Sequence, residues 1–522
     1  MFDPAACLRL PDVARALVGD EPTMVACQAG PHGFAGGGVE VSWREGQGRG
    51  EIRISSRQPV SEVWVGWDHP VGDVLILGDA WERAYGDLAW RRPDFDALLP
   101  WYFLACEAGS GRSAGIGVEV RPGALCAWKV GPTRVWLRLD VRNGGAPVVL
   151  GSRELLAASV VGTAGEEGPY LVQVELCRLM CQDPRPDVGP VVGCNDWYYS
   201  YGHSSPETIL RDAEFLSDLA GPHRVRPFAV VDAGWSPGGV SPGGPFAESL
   251  PHFGKMDDLA DRLAKLGARP GIWIRPTALS KVEDPKRLRA GPHPSKEKPL
   301  DLTREDNVET VREEVARTVE WGYQLVKYDF STFDLFGRFG PAMATTMTDP
   351  GWHFQDRSVT NAEIARRLYE TVAAAAGGAV VLGCNTLGHI AAGLVDVQRV
   401  GDDTSGRSWE ITRRMGVNGL AFRAAQHGAF FSVDADCVPC TETTPWEKNR
   451  QFLDLVARSG TALFISVDPS ARTPAIDQDL RAAVALALDG GAQGGTEPLD
   501  WLSTTTPSSW RFGATRHEYD WG

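Results

Sequence analysis

The sequence predicts an α/β chain in which a (β/α)8 TIM barrel follows an antiparallel β-sandwich and precedes a short β-like tail. Three observations lead there. The first part of the chain carries many short runs of β-branched and aromatic residues at alternating positions, as in Val135-Trp136-Leu137-Arg138-Leu139. After Val188 the texture changes to near-continuous apolar runs separated by stretches of helical period. Polar and charged residues collect just after those apolar runs. With 522 residues the chain is long for one compact domain.

The boundaries follow from composition. Residues 1–185 read as the sandwich, with strands expected at 38–45, 51–55, 60–67, 74–77, 101–106, 117–120, 124–130, 134–141 and 171–179. The run Asp183-Pro184-Arg185-Pro186-Asp187 reads as a linker. Residues 188–489 read as the barrel. Its eight strands are expected at 191–197, 228–232, 270–275, 324–330, 379–385, 394–400, 429–433 and 462–467. Helical period appears between them at 256–263, 308–321, 362–376, 448–457 and 480–488, and Ser205-Pro206 marks another helix start. Residues 490–522 are rich in Thr, Ser and Trp, and read as a few strands packed on the barrel.

In such a barrel the active site lies at the C-terminal ends of the strands. Read in order, those ends carry Asn195-Asp196-Trp197, Asp232, Arg275, Lys327 with Asp329, Cys384-Asn385, Arg399 with Asp402 and Asp403, Asp434 with Asp436, and Ser466 with Asp468. Two carboxylates on different strand ends are what glycoside hydrolysis requires. One attacks the anomeric carbon or activates water, and the other protonates the leaving oxygen. Lys327 lies two residues before Asp329, so on an extended strand both side chains share a face. Tyr328 should point the other way, into packing. The segment Gly78-Asp79-Ala80-Trp81-Glu82-Arg83 reads as sandwich core, with reach into the site as the alternative.

Composition excludes other classes. A formal charge of −15, from 67 acids and 52 bases, argues against nucleic acid and acidic membrane surfaces. No run approaches the roughly 18 apolar residues of a membrane span. The N-terminus lacks the pattern of a secretory signal, so the ten cysteines are expected as cytoplasmic thiols. Cys437 and Cys440 form a lone CxxC, read as structural; no metal and no cofactor are expected. The 18 tryptophans suit sugar stacking, although most should pack cores. A carbohydrate is the expected partner, and a homo-oligomer is left open.

At the strand-end motifs the sequence resembles the α-galactosidase (melibiase) clan of glycoside hydrolases, family 36 above all, with features of families 27 and 31. The resemblance places the nucleophile at Asp329, in Lys327-Tyr328-Asp329, and the acid/base at Asp402, in Gly401-Asp402-Asp403-Thr404-Ser405, with Asp403 as second choice. With the strand-end reading, sugar contacts are expected from Asp232, Lys327, Asp196, Trp197, Trp235, Arg275, Cys384, Asn385 and Arg399, an ion pair with a neighbouring Asp inside the barrel mouth being the equal alternative for Arg275. Two positions depart from the family pattern. Val231-Asp232-Ala233-Gly234-Trp235 has Ala233 where the family has a second Asp. Gly271-Ile272-Trp273-Ile274-Arg275-Pro276 has Arg275 where the family has Glu. The implied activity is a retaining, α-galactosidase-like α-glycosidase working by double displacement. A transglycosidase of the same clan and a non-catalytic carbohydrate-binding relative are the alternatives.

Overall fold

The computed structural model describes residues 2–46, 48–107 and 109–522. Thirteen strands between Val13 and Gly165 pair antiparallel throughout, in one continuous sheet. The sheet folds over so that its two halves face each other. Trp43, on strand Val39–Gly46, meets Trp67, on Val60–Asp68, with ring centroids 5.9 Å apart. Trp128 stacks on Trp67 at 6.1 Å and meets Phe103 at 5.8 Å. Strand Arg49–Ser56 alternates half-buried and buried residues along its length, the pattern of one face turned to a core.

The expected strand at 171–179 is instead part of a helix, Pro169–Met180. Its sequence carries both periods, but Pro169 fits the first helical turn and the buried residues Val172, Leu176 and Met180 recur every four positions. Gly115 and Gly117 leave room for it: a Cβ there would lie 2.9 Å from Leu176 and 2.4 Å from the Met180 sulfur. Besides the two-residue strand Leu99–Pro100, four strands were not anticipated, Val13–Val18, Thr23–Gly30, Gly33–Gly36 and Leu155–Gly165. They are rich in Gly, Ala and Ser, which carry little strand signal.

All eight apolar runs of the second texture form parallel strands: Val192–Cys194, Phe228–Val231, Arg269–Ile274, Leu325–Tyr328, Val380–Gly383, Val397–Arg399, Ser432–Asp434 and Leu463–Val467. They lie side by side in chain order, and the eighth pairs with the first. The seventh reaches the eighth through a parallel bridge between Asp434 and Ala462, with the Ala462 amide donating to Val433 at 2.9 Å. The parallel sheet is thus curled, and nearly every strand residue in it is buried. A further short strand, Val438–Cys440, adds to the eighth.

Helices Pro206–Ala220, Met256–Lys265, Glu305–Glu320, Asn361–Ala376 and Trp446–Ser459 fill five of the crossovers, and Pro474–Leu488 follows the eighth strand. Ser205 caps the first of these through the Thr208 amide, and Thr360 with Glu363 forms a capping box on the fourth. Regular alternation lapses in two places. The crossover after the fifth strand holds a single turn, Gly388–Ala391, and the one after the sixth is broken by a π segment at Arg413–Val417. The tail forms a three-stranded antiparallel sheet of Thr496–Pro498, Ser509–Phe512 and Thr515–Glu518. Its Trp521 carbonyl accepts from the Trp409 indole at 3.0 Å. Among the described residues no helix is long and apolar enough to cross a membrane.

Candidate active site

The fourth strand ends with Lys327 pointing inward. Its ammonium lies 2.8 Å from Asp232 at the end of the second strand. Burial opposes its charge, but Asp232 and, more weakly, Asp329 raise its pKa well above the ordinary lysine value against Arg399. Asp232 also accepts from the Ala233 amide at 2.8 Å. Tyr328, between Lys327 and Asp329, is buried against Tyr369 on the opposite face, as strand alternation demands.

Asp329 is half-buried and held by both oxygens. The Trp273 indole donates to one at 3.2 Å, and the Phe330 amide to the other at 2.7 Å. The sequence reading had not singled out Trp273, whose role depends on a contact between neighbouring strands.

The sixth strand ends in Arg399, whose guanidinium lies between Asp403 at 3.0 Å and Asp436 at 3.1 Å. Asp436 also accepts from the Tyr198 hydroxyl and from the Thr404 amide at 2.7 Å, so it ties the loops after the first, sixth and seventh strands together. Asp434 is fully buried. Burial, with Asp436 adding to it and Arg399 opposing, pushes its carboxyl up to about 6.

Asp402 and Asp403 are adjacent but differ in electrostatic setting. Burial and the charge of Asp403 raise the Asp402 pKa, while Arg83 opposes them. Asp403, with half its side-chain surface open, is held below the ordinary carboxylate range by Arg399 and Arg83 against its desolvation. Arg83 reaches both carboxylates, at 3.2 Å from Asp402 and 3.4 Å from Asp403. It comes from the segment after strand Val74–Gly78 of the N-terminal sheet. That segment runs beside the sixth strand end through a parallel bridge between Ala84 and Gly401. Neighbouring Glu82 is buried and accepts from the Asn385 side chain, Tyr85 and the Gly340 amide. The segment expected to be core packing therefore supplies charge to the mouth of the parallel sheet. No spacing in the sequence could reveal this, because the partners lie far apart along the chain.

The remaining expected residues divide into two groups. Cys384 is buried beside Arg399, 3.7 Å from sulfur to guanidinium, and lies within the fields of Asp329 and Lys327. Burial above all, with Asp329, raises its thiol well above the ordinary value, so it is neutral. Asp196 is buried, pushed up to about 6 by burial and, less strongly, by Asp232, with Ser204 and Ser200 opposing. Trp197 is half-buried, next to Tyr201. Three residues are placed elsewhere. Trp235 has no exposed surface and donates to the Trp273 carbonyl at 2.9 Å, so it packs behind the third strand. Asn385 is occupied by Glu82 and the Phe333 amide. Arg275 is buried in a paired contact with Asp334, at 2.6 and 3.0 Å. Among the described residues no cluster of His, Cys, Asp and Glu has the arrangement of a metal site, and Cys437 and Cys440 are buried free thiols.

No protein-family model matches the chain, and no curated protein matches it by sequence. Solved structures do match, and they define the class of fold. It is that of the glycoside hydrolase family 36 α-galactosidases. The α-galactosidase TtGalA from Thermus thermophilus, in complex with p-nitrophenyl α-D-galactopyranoside, superposes with a TM-score of 0.61 at 19% identity, over 97% of this chain and 99% of that one. The family 36 α-galactosidase AgaA from Geobacillus stearothermophilus gives 0.62 at 13% identity, over 91% and 71%. The galactosidase domain of the α-galactosidase-sucrose kinase AgaSK gives 0.60 at 14%, over 96% and 73%.

Proposed function

We propose that the protein is a retaining, α-galactosidase-like glycoside hydrolase. In this reading residues 188–489 are a (β/α)8 catalytic barrel and residues 1–185 a β-sandwich domain that lends Arg83 to the site. Asp329 attacks the anomeric carbon, and Asp402 protonates the leaving oxygen and then activates water. The observation that carries the proposal is the opposed setting of the two carboxyls. Asp329 sits in N–H donors beside a lysine, whereas burial and Asp403 push Asp402 towards its protonated form. In this reading Asp232, Lys327, Asp196, Cys384 and Arg399 surround the sugar at the strand ends, with Trp197 beside it. Cleavage of the α-galactoside type is favoured by the shared fold with TtGalA and AgaA, which have been solved with p-nitrophenyl α-galactoside and raffinose respectively.

The test is a panel of p-nitrophenyl α-glycosides, followed by trapping with a fluorinated sugar. Release of nitrophenol from the α-galactoside and a covalent sugar on Asp329 are expected. In a sugar complex the two carboxyls should lie about 5–5.5 Å apart. Release from no sugar, or a trapped sugar on any other residue, would overturn the assignment.

A further inference from the structure

The turn that follows Asp329 is made by a residue poorly suited to it. Phe330 has φ 60° and ψ 6°, in the left-handed region. A bulky aromatic residue enters that region only when its surroundings offset the cost, and such residues collect at functional sites. Two demands meet here. The peptide between Asp329 and Phe330 is oriented so that its N–H lies 2.7 Å from the Asp329 carboxylate. One residue later the short helix Ser331–Phe336 begins, its Asp334 amide bonded back to the Phe330 carbonyl at 2.8 Å. Only a left-handed residue at 330 connects the two. Relaxing it would swing the peptide and take the amide away from Asp329.

Arg275 holds the turn. Its guanidinium lies over the Phe330 ring, 4.3 Å from the centroid. The guanidinium is itself fixed: Asp334 accepts from it twice, at 3.0 and 2.6 Å, and from Thr277 at 2.6 Å, and both partners of the pair are buried. The contacts close a ring that runs from Arg275 to the Phe330 side chain, along its backbone to Asp334, and back to Arg275. We propose that Arg275 is a positioning residue for Asp329. It acts through Phe330, keeping the 329–330 amide on the carboxylate, and touches no substrate. The proposal rests on the reading of Asp329 as nucleophile.

The experiment compares kcat and KM on p-nitrophenyl α-galactoside. Arg275→Met is combined with Asp334→Asn, so that no unpaired charge is left buried. A fall in kcat of roughly 10- to 100-fold is expected, with KM within about twofold. On a Phe330→Gly background the same pair of changes should cost less than about threefold, because glycine takes the left-handed conformation freely. A crystal structure of the Arg275→Met, Asp334→Asn protein should show residue 330 out of the left-handed region and its amide off Asp329. An unchanged kcat, a rise confined to KM, or an equal loss on both backgrounds would overturn the proposal. So would a crystal structure with the turn intact. If the unmodified protein cleaves none of the glycosides, the nucleophile assignment fails, and the crystal structures alone then decide whether Arg275 holds the turn.

Discussion

Arg83, from the N-terminal sheet, places its guanidinium 3.2 Å from the carboxylate of Asp402, at the sixth strand end of the parallel sheet. The contact has a clear electrostatic sign. Arg83 lowers the pKa that burial and Asp403 raise. In Arg83→Gln the opposing charge is gone, so Asp402 should keep its proton to higher pH. The basic limb of the kcat/KM profile should move to higher pH, with the acid limb little changed. A pH–rate profile of the two proteins checks the direction.

Trp273 should matter through a single hydrogen. Trp273→Phe keeps the ring but removes the N–H that lies 3.2 Å from Asp329. A hydrogen bond to a charged group contributes about 1.5–3 kcal/mol. The expected loss in kcat/KM is therefore about tenfold to a hundredfold, with little change in melting temperature. Steady-state kinetics beside a thermal melt would measure both.

Lys327→Met should damage the fold as well as the chemistry. Asp232 would be left buried without its cation, a change that costs about 3–5 kcal/mol. Adding Asp232→Asn should recover much of that stability but none of the activity. Denaturant unfolding of the single and double variants separates the two effects.

A fourth expectation concerns stability in acid. Glu62, in the N-terminal sheet, is buried with Arg138 and Arg142, at 2.5 and 2.6 Å. Burial alone would raise its pKa, but the two arginines bring it well below the ordinary value. Its folded form thus binds the proton more weakly than its unfolded form does. The stabilisation is complete above the ordinary glutamate value of about 4.3 and is lost as pH falls below it. Glu62→Gln should cost roughly 3 kcal/mol at neutral pH, and should flatten the decline in stability below about pH 4.3. Unfolding curves over that range test it.

The architecture was largely legible because burial on both faces writes itself into sequence. The run Leu325-Val326 before Lys327, like Phe228–Val231 and Val380–Gly383, has no polar residue until the chain reaches the mouth of the sheet. Strand alternation was equally reliable for Lys327 and Tyr328. What sequence could not supply was pairing at a distance. Arg83 and Asp402 meet only because the segment after strand Val74–Gly78 docks beside the sixth strand end. Trp235 looked like a sugar platform, yet its indole is consumed by the Trp273 carbonyl. Arg275 read equally as a substrate contact and as one half of an ion pair, and only its pairing with Asp334, from the following crossover, decides between them. The helix at 169–180 was misread because both periods fit its apolar residues, and the packing of Leu176 and Met180 over two glycines decided between them.

The rung at Ala84 joins the two sheets backbone to backbone. Its amide donates to Val400 and its carbonyl accepts from Asp402, each at 2.8 Å. The partners lie most of the chain apart, so during synthesis the N-terminal strands leave the ribosome long before the sixth parallel strand does. Only then can Asp402 acquire its arginine. A chain cut between the two sheets could fold both pieces and still be inert, and mixing the pieces should restore activity at a rate set by their concentration.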